Sequence, residues 1–357
     1  MENYAALFGH SLMKRYPEAE EYPFSSWCYS KGFYLWGMIK LYERTKEDEW
    51  KHYVLAYCSE HVSDDGQIKG YTGISLDDVM TASVLVWAYT VTGEARYQKA
   101  CQKVREDLRS YPRNPDGGFW HSKTLKGEMW VDGLFMGLMF VTRYGKYIGD
   151  TEECYDETVR QLNTVFARCQ KDKSGLLYHA YSEGSCAPWA SPVTGCSPEV
   201  WSEGLGWYAM ILVEVLELLP TDYPSRESLA EQYRLLCRDL LIVQDPANGL
   251  WYQVVDKPHA DGNFHDTSGS AMFVYTLQKG IDLGILQGEE WNHAVRAGIA
   301  GILSKCFVGM DGQIHVMDAC DGLGVQLSYD AYVRFAKAVD AKEAAAAVLW
   351  ALGIAAL

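Results

Sequence analysis

Apolar and polar positions along the chain fall into two alternating kinds of segment. One kind is apolar nearly all round: Trp27 to Tyr42, Leu76 to Val91, Trp130 to Tyr144, Trp201 to Leu219 and Ser270 to Gly280, with a less regular sixth starting near Gln326. A helix without a polar face is buried on every side. The other kind is amphipathic: Glu47 to Val62, Glu94 to Tyr111, Glu152 to Gln170, Glu227 to Val243, Glu289 to Cys306 and Lys342 to Leu357. Charges such as Glu94, Arg96, Lys99, Lys103 and Arg105 gather on one side, the pattern of a half-exposed helix.

Small-residue turns leading into short strand-like runs recur between the two kinds. They are Asp65-Gly66-Gln67-Ile68, Asp116-Gly117-Gly118-Phe119-Trp120, Ser174-Gly175-Leu176-Leu177-Tyr178, Asn248-Gly249-Leu250-Trp251-Tyr252 and Asp311-Gly312-Gln313-Ile314. The glycine of each is expected to supply the positive φ of a tight turn. A repeat of roughly 50 to 70 residues is longer than a solenoid hairpin. Six buried helices alternating with six half-exposed ones predict an all-α (α/α)6 barrel, an inner ring inside an outer ring, with short strand-like runs in the loops. Residues 1–357 then form a single catalytic domain. An open helical solenoid is the alternative, and the bulky aromatics of the inner helices favour the closed ring.

Composition narrows the partners. The net charge of −15 repels phosphate backbones and anionic membranes, so neither nucleic acid nor a membrane is an expected partner. The start MENYAALFGH lacks the basic and apolar regions of a secretory signal, and the apolar stretch Ala344 to Leu357 is, at about 14 residues, too short to span a bilayer. Ten cysteines without a C-x-x-C pair suggest reduced thiols and a cytoplasmic protein, with no metal site. Twelve Trp and 24 Tyr suit stacking on sugar rings, although a large helical core uses aromatics as well.

The starts of the inner helices carry candidate chemistry: Trp27 and Tyr29, Asp77, Asp132, Glu203 and Asp266. In a ring these would converge on one pit. Each acidic residue is equally placed to cap its helix by accepting backbone N–H bonds. Asp132 differs, because it lies between Trp130, Val131, Leu134 and Phe135. Desolvation favours the proton-bearing form of a carboxyl, as a general acid requires. His121 and His179 follow strand-like runs on the same side. No phosphate loop or nucleophile elbow is present.

The segments GGFWHSKTLKGEMWVDGLFMGLMF, SPEVWSEGLGWYAMILVEVLELLP, GLWYQVVDKP and DTSGSAMFVYTLQKGIDLGIL resemble glycoside hydrolase family 105, the unsaturated rhamnogalacturonyl hydrolases, related to the unsaturated glucuronyl hydrolases of family 88. WCYSKGFYLWGMIKLY and ISLDDVMTASVLVWAYTVTGEARY resemble its first two repeats, so the likeness covers nearly the whole chain. It implies the same (α/α)6 barrel. It also implies removal of a 4,5-unsaturated uronic acid from the non-reducing end of small lyase-generated oligosaccharides, without cofactor or metal, by a monomer or homodimer. The family's general acid and base falls on Asp132 and its assisting aspartate on Asp77, with Asp78 the lesser reading. Tyr29, His121, His179, Trp201 and Trp207 would shape the sugar pocket. One departure stands out: where the family reads W-x-R-G-x-G-W, this chain has Glu203 in place of arginine, and Ser122 replaces the basic residue after the histidine. Either a differently decorated sugar is bound, or Lys123, Lys126 or His265 supply the missing donors, with Glu203 still at the substrate. The alternatives are an ordinary exo-glycosidase and a non-catalytic sugar-binding barrel.

Overall fold

The computed structural model describes residues 4–23 and 26–355. Helices dominate it. The inner ring is formed by α2 (Tyr29–Thr45), α4 (Leu76–Thr92), α6 (Val131–Tyr147), α8 (Ser202–Leu218), α10 (Thr267–Asp282) and α13 (Lys342–Ile354). Each packs on the next, and α13 closes the circle onto α2. The outer partners are α1 (Tyr4–Arg15), α3 (Asp48–His61), α5 (Ala95–Arg109), α7 (Thr151–Cys169), α9 (Arg226–Val243) and α11 (Glu289–Ser304). A short helix, α12 (Tyr329–Val333), sits in the last long loop. This is the (α/α)6 barrel that the alternation predicts.

The phase of the ring differs from the sequence reading. The segment from Lys342, expected as a half-exposed outer helix, is the sixth inner helix, and Glu343 through Gly353 are all buried. Ala356 and Leu357 of that expected segment lie outside the described residues. The run near Gln326, expected as the sixth inner helix, yields only the five residues of α12. The missing outer helix is α1, whose Ala5, Phe8, Gly9, Ser11 and Leu12 turn inward at helical spacing. The physical reason lies in composition: KEAAAAVLWALGI holds two charges, both in its first turn, and so has no polar face to present to water.

Three short antiparallel pairs brace the loops: β1 (Glu128–Trp130) with β2 (Ala180–Ser182), β3 (Cys306–Val308) with β4 (Ile314–Val316), and β5 (Ala319–Cys320) with β6 (Lys337–Ala338). The expected positive φ is found at Gly66, Gly117, Gly249 and Gly312, but not at Gly175. There Asp172 and Lys173 take the left-handed conformation instead. Gly175 is required for contact: a Cβ would lie 2.3 Å from the Leu236 Cα on α9, and backbone cannot yield.

At the end of the barrel opposite the helix starts, Glu214 of α8 lies fully buried on the ring's interior. Arg143 of α6 and the Tyr275 hydroxyl of α10 donate to its carboxylate, and the Lys40 Nζ of α2 lies 3.3 Å from Oε1. Burial alone would raise this carboxyl, yet Lys40, Arg143 and Lys279 outweigh it and hold Glu214 well below the usual carboxylate range. Lys40 also rests over the Trp350 ring of α13, 5.2 Å from its centre. Five inner helices therefore meet around one ionised group.

Removing that charge strands two cations in low dielectric. Glu214→Gln is expected to destabilise the protein by about 3–5 kcal/mol in urea unfolding. A loss under about 1 kcal/mol would mean that the cations find water and that the cluster holds nothing together.

Candidate active site

The first turns of the inner helices open onto a pit of about 210 Å³. Ser75 caps α4 by accepting the Asp77 N–H at 3.2 Å, which leaves the Asp77 carboxylate free to line the pit. Asp78 turns away. Its carboxylate accepts from the Thr72 hydroxyl, and its carbonyl accepts from Trp27 Nε1 at 2.6 Å. Of the two aspartates, Asp77 is the one in the site.

His121 is fixed by its backbone, whose carbonyl accepts the Leu76 N–H at 3.0 Å. Its ring lies flat on Trp130, centroids 4.3 Å apart, with Nε2 3.6 Å from Asp77 Oδ2. Gly133 makes room for it, since a Cβ there would come within 2.9 Å of His121 Nδ1. Burial opposes the charged ring, but Asp77, Asp132 and Glu128 together outweigh it and leave His121 above the ordinary histidine value.

Asp132 occupies the first turn of α6, where Trp130 stands at the cap position and makes no side-chain cap bond. The β1–β2 pairing sets Trp130 opposite Ala180, and the Val131 N–H donates to the His179 carbonyl at 3.1 Å. His179 is thereby placed directly behind Asp132, its Nε2 3.0 Å from Oδ2. It is fully buried and does not line the pit, in contrast to the pocket role expected for it. The Tyr332 hydroxyl lies 2.8 Å from His179 Nδ1 and already accepts the Gln326 N–H. The ring is thereby held with Nε2 facing Asp132.

Tyr29, Trp201, Glu203 and Trp207 complete the wall, as expected of pit-lining residues. Trp201 leans over His179 with ring centres 4.5 Å apart. Glu203 is fully buried and accepts from the Ser268 hydroxyl. Burial first, then Glu343 and Asp266, push its carboxyl well above the ordinary value, so it stands neutral. For Asp266 the capping reading is right: it accepts the Ser268 and Gly269 N–H groups of α10 and the Ser202 hydroxyl at 2.6 Å. Lys123 and Lys126 are exposed and His265 is bound to Asp245 at 2.8 Å, so none of the three expected donors lines the pit.

Four parts of the site escaped the sequence reading. Lys342 and Glu343 begin α13, Met136 follows Asp132 by one turn, and the Gly322–Gly324 loop covers one side. The Tyr29 hydroxyl donates to Glu343. Burial raises the Glu343 carboxyl to about 7, against the pull of Lys342 and Tyr29. The signal existed: with the Lys342 segment taken as an inner helix, Glu343 repeats the first-turn acid of α4, α6 and α8.

Native proteins pair nearly all their buried polar groups. Six of the thirteen buried side-chain polar atoms without a hydrogen-bond partner among the described residues cluster here: Asp132 Oδ2 and His179 Nε2, which face each other at 3.0 Å, and, on residues lining the pit, His121 Nδ1, Trp201 Nε1, Glu203 Oε2 and Glu343 Oε2. That concentration marks where a polar ligand is received. No three His, Cys, Asp or Glu side chains among the described residues are grouped to hold a metal ion. No described helix is long and apolar enough to cross a membrane.

The family model described as Glycosyl Hydrolase Family 88 matches residues 4–354. A glycoside hydrolase from family 105 of C. acetobutylicum ATCC 824 superposes with a TM-score of 0.92 at 29% identity, covering 99% of each chain. Protein Atu3128 of Agrobacterium fabrum is 40% identical over 163 residues, 46% of this chain and 68% of that protein. The unsaturated rhamnogalacturonyl hydrolase YesR of Bacillus subtilis is 23% identical over 313 residues, covering 86% of this chain and 83% of its own.

The raised carboxyl of Glu343 has a stability signature. A group whose folded value exceeds its unfolded one stabilises at low pH and loses that contribution as pH rises through the folded value. Glu343→Gln should match wild type near pH 4.5 and become the more stable protein above pH 7, by on the order of 2–3 kcal/mol. Thermal unfolding across that range checks it, and a difference that does not change with pH would refute the buried titration.

Proposed function

As the chain belongs to Glycosyl Hydrolase Family 88, and so is a glycoside hydrolase, we propose that it removes a 4,5-unsaturated uronic acid from the non-reducing end of small lyase-generated oligosaccharides. Residues 1–357 act in this reading as one catalytic domain, which fits a main core that draws on residues from Ala5 to Ala355. The activity named for the Bacillus relative and the pit's small volume both support a single terminal sugar as the bound unit.

The chemistry uses the enol ether that a lyase leaves behind. Asp132 gives its proton to C4 of the ring. Water adds at C5, and its proton returns to the Asp132 carboxylate. The C5 hemiketal opens to a ketone, and the hemiacetal freed at C1 releases the aglycone as an alcohol. One carboxyl that gives and takes a proton is sufficient, so the fixed spacing of two carboxylates in ordinary glycosidases does not apply. Asp77, paired with His121, assists at the water, while Tyr29, Trp201, Glu203 and Trp207 hold the sugar. His179 is a positioning residue that orients Asp132 from behind.

The observation that carries this reading is the placement of Asp132 in the pit wall with a fully buried histidine 3.0 Å behind it. A carboxyl held in one orientation at the sugar is what proton delivery to a carbon requires.

Loss of ultraviolet absorbance from the conjugated double bond measures the reaction. Lyase-made disaccharides from rhamnogalacturonan and from glucuronate-containing polymers should lose absorbance with wild type, and Asp132→Asn should be slower by about 10²–10⁴. Cleavage of saturated oligosaccharides with no absorbance loss on any unsaturated one would instead establish an ordinary exo-glycosidase. Tyr332→Phe removes one hydrogen bond, of about 1 kcal/mol, behind His179. It should lower kcat roughly fivefold with KM unchanged, the split expected of a positioning residue. A matched change in both parameters would assign Tyr332 to packing alone.

A further inference from the structure

Glu203 and Glu343 are buried in protein yet both line the pit. Each has one carboxyl oxygen engaged, Glu203 by the Ser268 hydroxyl and Glu343 by the Tyr29 hydroxyl. The Oε2 atom of each is buried and has no protein partner. Two such oxygens at one cavity demand polar partners from whatever enters it. The Gly322 backbone presses on the same corner, since a Cβ there would lie 2.7 Å from Glu343 Oε1 and 3.2 Å from the Tyr29 hydroxyl. A side chain at residue 322 would press on the engaged oxygen of Glu343 and on Tyr29, so the loop packs there without one.

The substrate class under Proposed function, on which this inference rests, offers a matching pattern. With C4 and C5 in the double bond and C6 a carboxylate, the terminal ring keeps two hydroxyls, adjacent at C2 and C3. We propose that Glu203 and Glu343 form a two-carboxyl clamp that takes those adjacent hydroxyls, selecting rings that carry no sulfate or ester at C2 or C3. A sulfate or ester brings no donor to either unpartnered Oε2, whereas a hydroxyl can both donate to and accept from a carboxyl. The ring's own carboxylate is left to the basic groups that line the pit, Lys342 beside Glu343 and His121 beside Asp77.

The clamp's proton content ties recognition to pH. The groups facing it are Tyr29 of α2, Asp77 of α4, Asp132 of α6, Asp266 of α10, Lys342 of α13, and Cys320 and Asp321 of the covering loop. Most are acidic, so burial and mutual repulsion keep Glu203 neutral and leave Glu343 to ionise at about 7. Above that pH the clamp gains a negative charge beside an anionic substrate, and binding weakens.

Tryptophan fluorescence would follow binding, with Trp201 and Trp207 in the pit wall as reporters. The probes are an unsaturated uronyl disaccharide and its counterpart sulfated at C2 of the unsaturated ring, each titrated at about pH 6 and about pH 8. Wild type should bind the unsulfated probe at least about tenfold more tightly, and its affinity should fall as pH rises. Glu343→Gln should retain the preference and show a smaller fall, because an amide does not titrate and only His121 still loses charge over that range. Glu203→Arg should reverse the preference, and Glu203→Gln, with no new charge to bury, should keep it. Equal binding of both probes by wild type, or a pH dependence undiminished in Glu343→Gln, would overturn the clamp. The absorbance assay is separate: selective binding without turnover would reject the proposed reaction and leave the clamp standing.

Discussion

The barrel depends on one buried carboxylate at the end away from its site. Glu214 draws Arg143, Lys40 and Tyr275 inward from three other inner helices, and Lys40 lies against Trp350 on the helix that closes the ring. A buried ion pair is a poor stabiliser when compared with well-packed apolar residues, because both partners lose water. Its value here is directional. Apolar helices slide and rotate against one another at little cost, whereas an ionised group with three donors accepts one arrangement. The inner helices are almost uniformly apolar, so this cluster is well placed to set their register.

Fixing one end leaves the other free to hold an arrangement that is poor for stability. The pit gathers Asp77, Asp132, Glu203 and Glu343 from four inner helices, with Asp266 behind them. Like charges crowded in low dielectric cannot all ionise. The structure answers by keeping Glu203 neutral and by setting Glu343 near neutrality, while Asp77 faces a histidine. Unpartnered buried oxygens and ring nitrogens at this end are the cost of a site ready to receive a polar ring.

Elements of the site came from local and distant causes in turn. Ser75 frees Asp77 by taking over the cap of α4, a role visible two residues away in sequence. Asp266 went the other way and became a cap, binding Ser268 and Gly269. The residue type is the same and the offset differs: Asp266 precedes its helix as the cap, whereas Asp77 is the second residue inside α4, behind the Ser75 cap. His179 was read as pocket-lining because it follows a strand-like run. The β1–β2 pairing instead turns its ring behind Asp132, where Tyr332 meets it from 153 residues away.

The sequence by itself determined the alternation of buried and half-exposed helices, the (α/α)6 class and the first-turn positions of Asp77, Asp132 and Glu203. These follow from periodicity and composition, which act over a turn or two of helix. Tertiary structure decided the phase of the ring, with α1 outside and α13 inside, and with it the arrival of Glu343 at the pit. It also decided that Lys342, rather than Lys123, Lys126 or His265, would line it. Closing a ring brings the first inner helix against the last, so that Tyr29 bonds Glu343 across 314 residues. No pattern confined to a single helix encodes a contact at that separation; it exists only once the circle is complete.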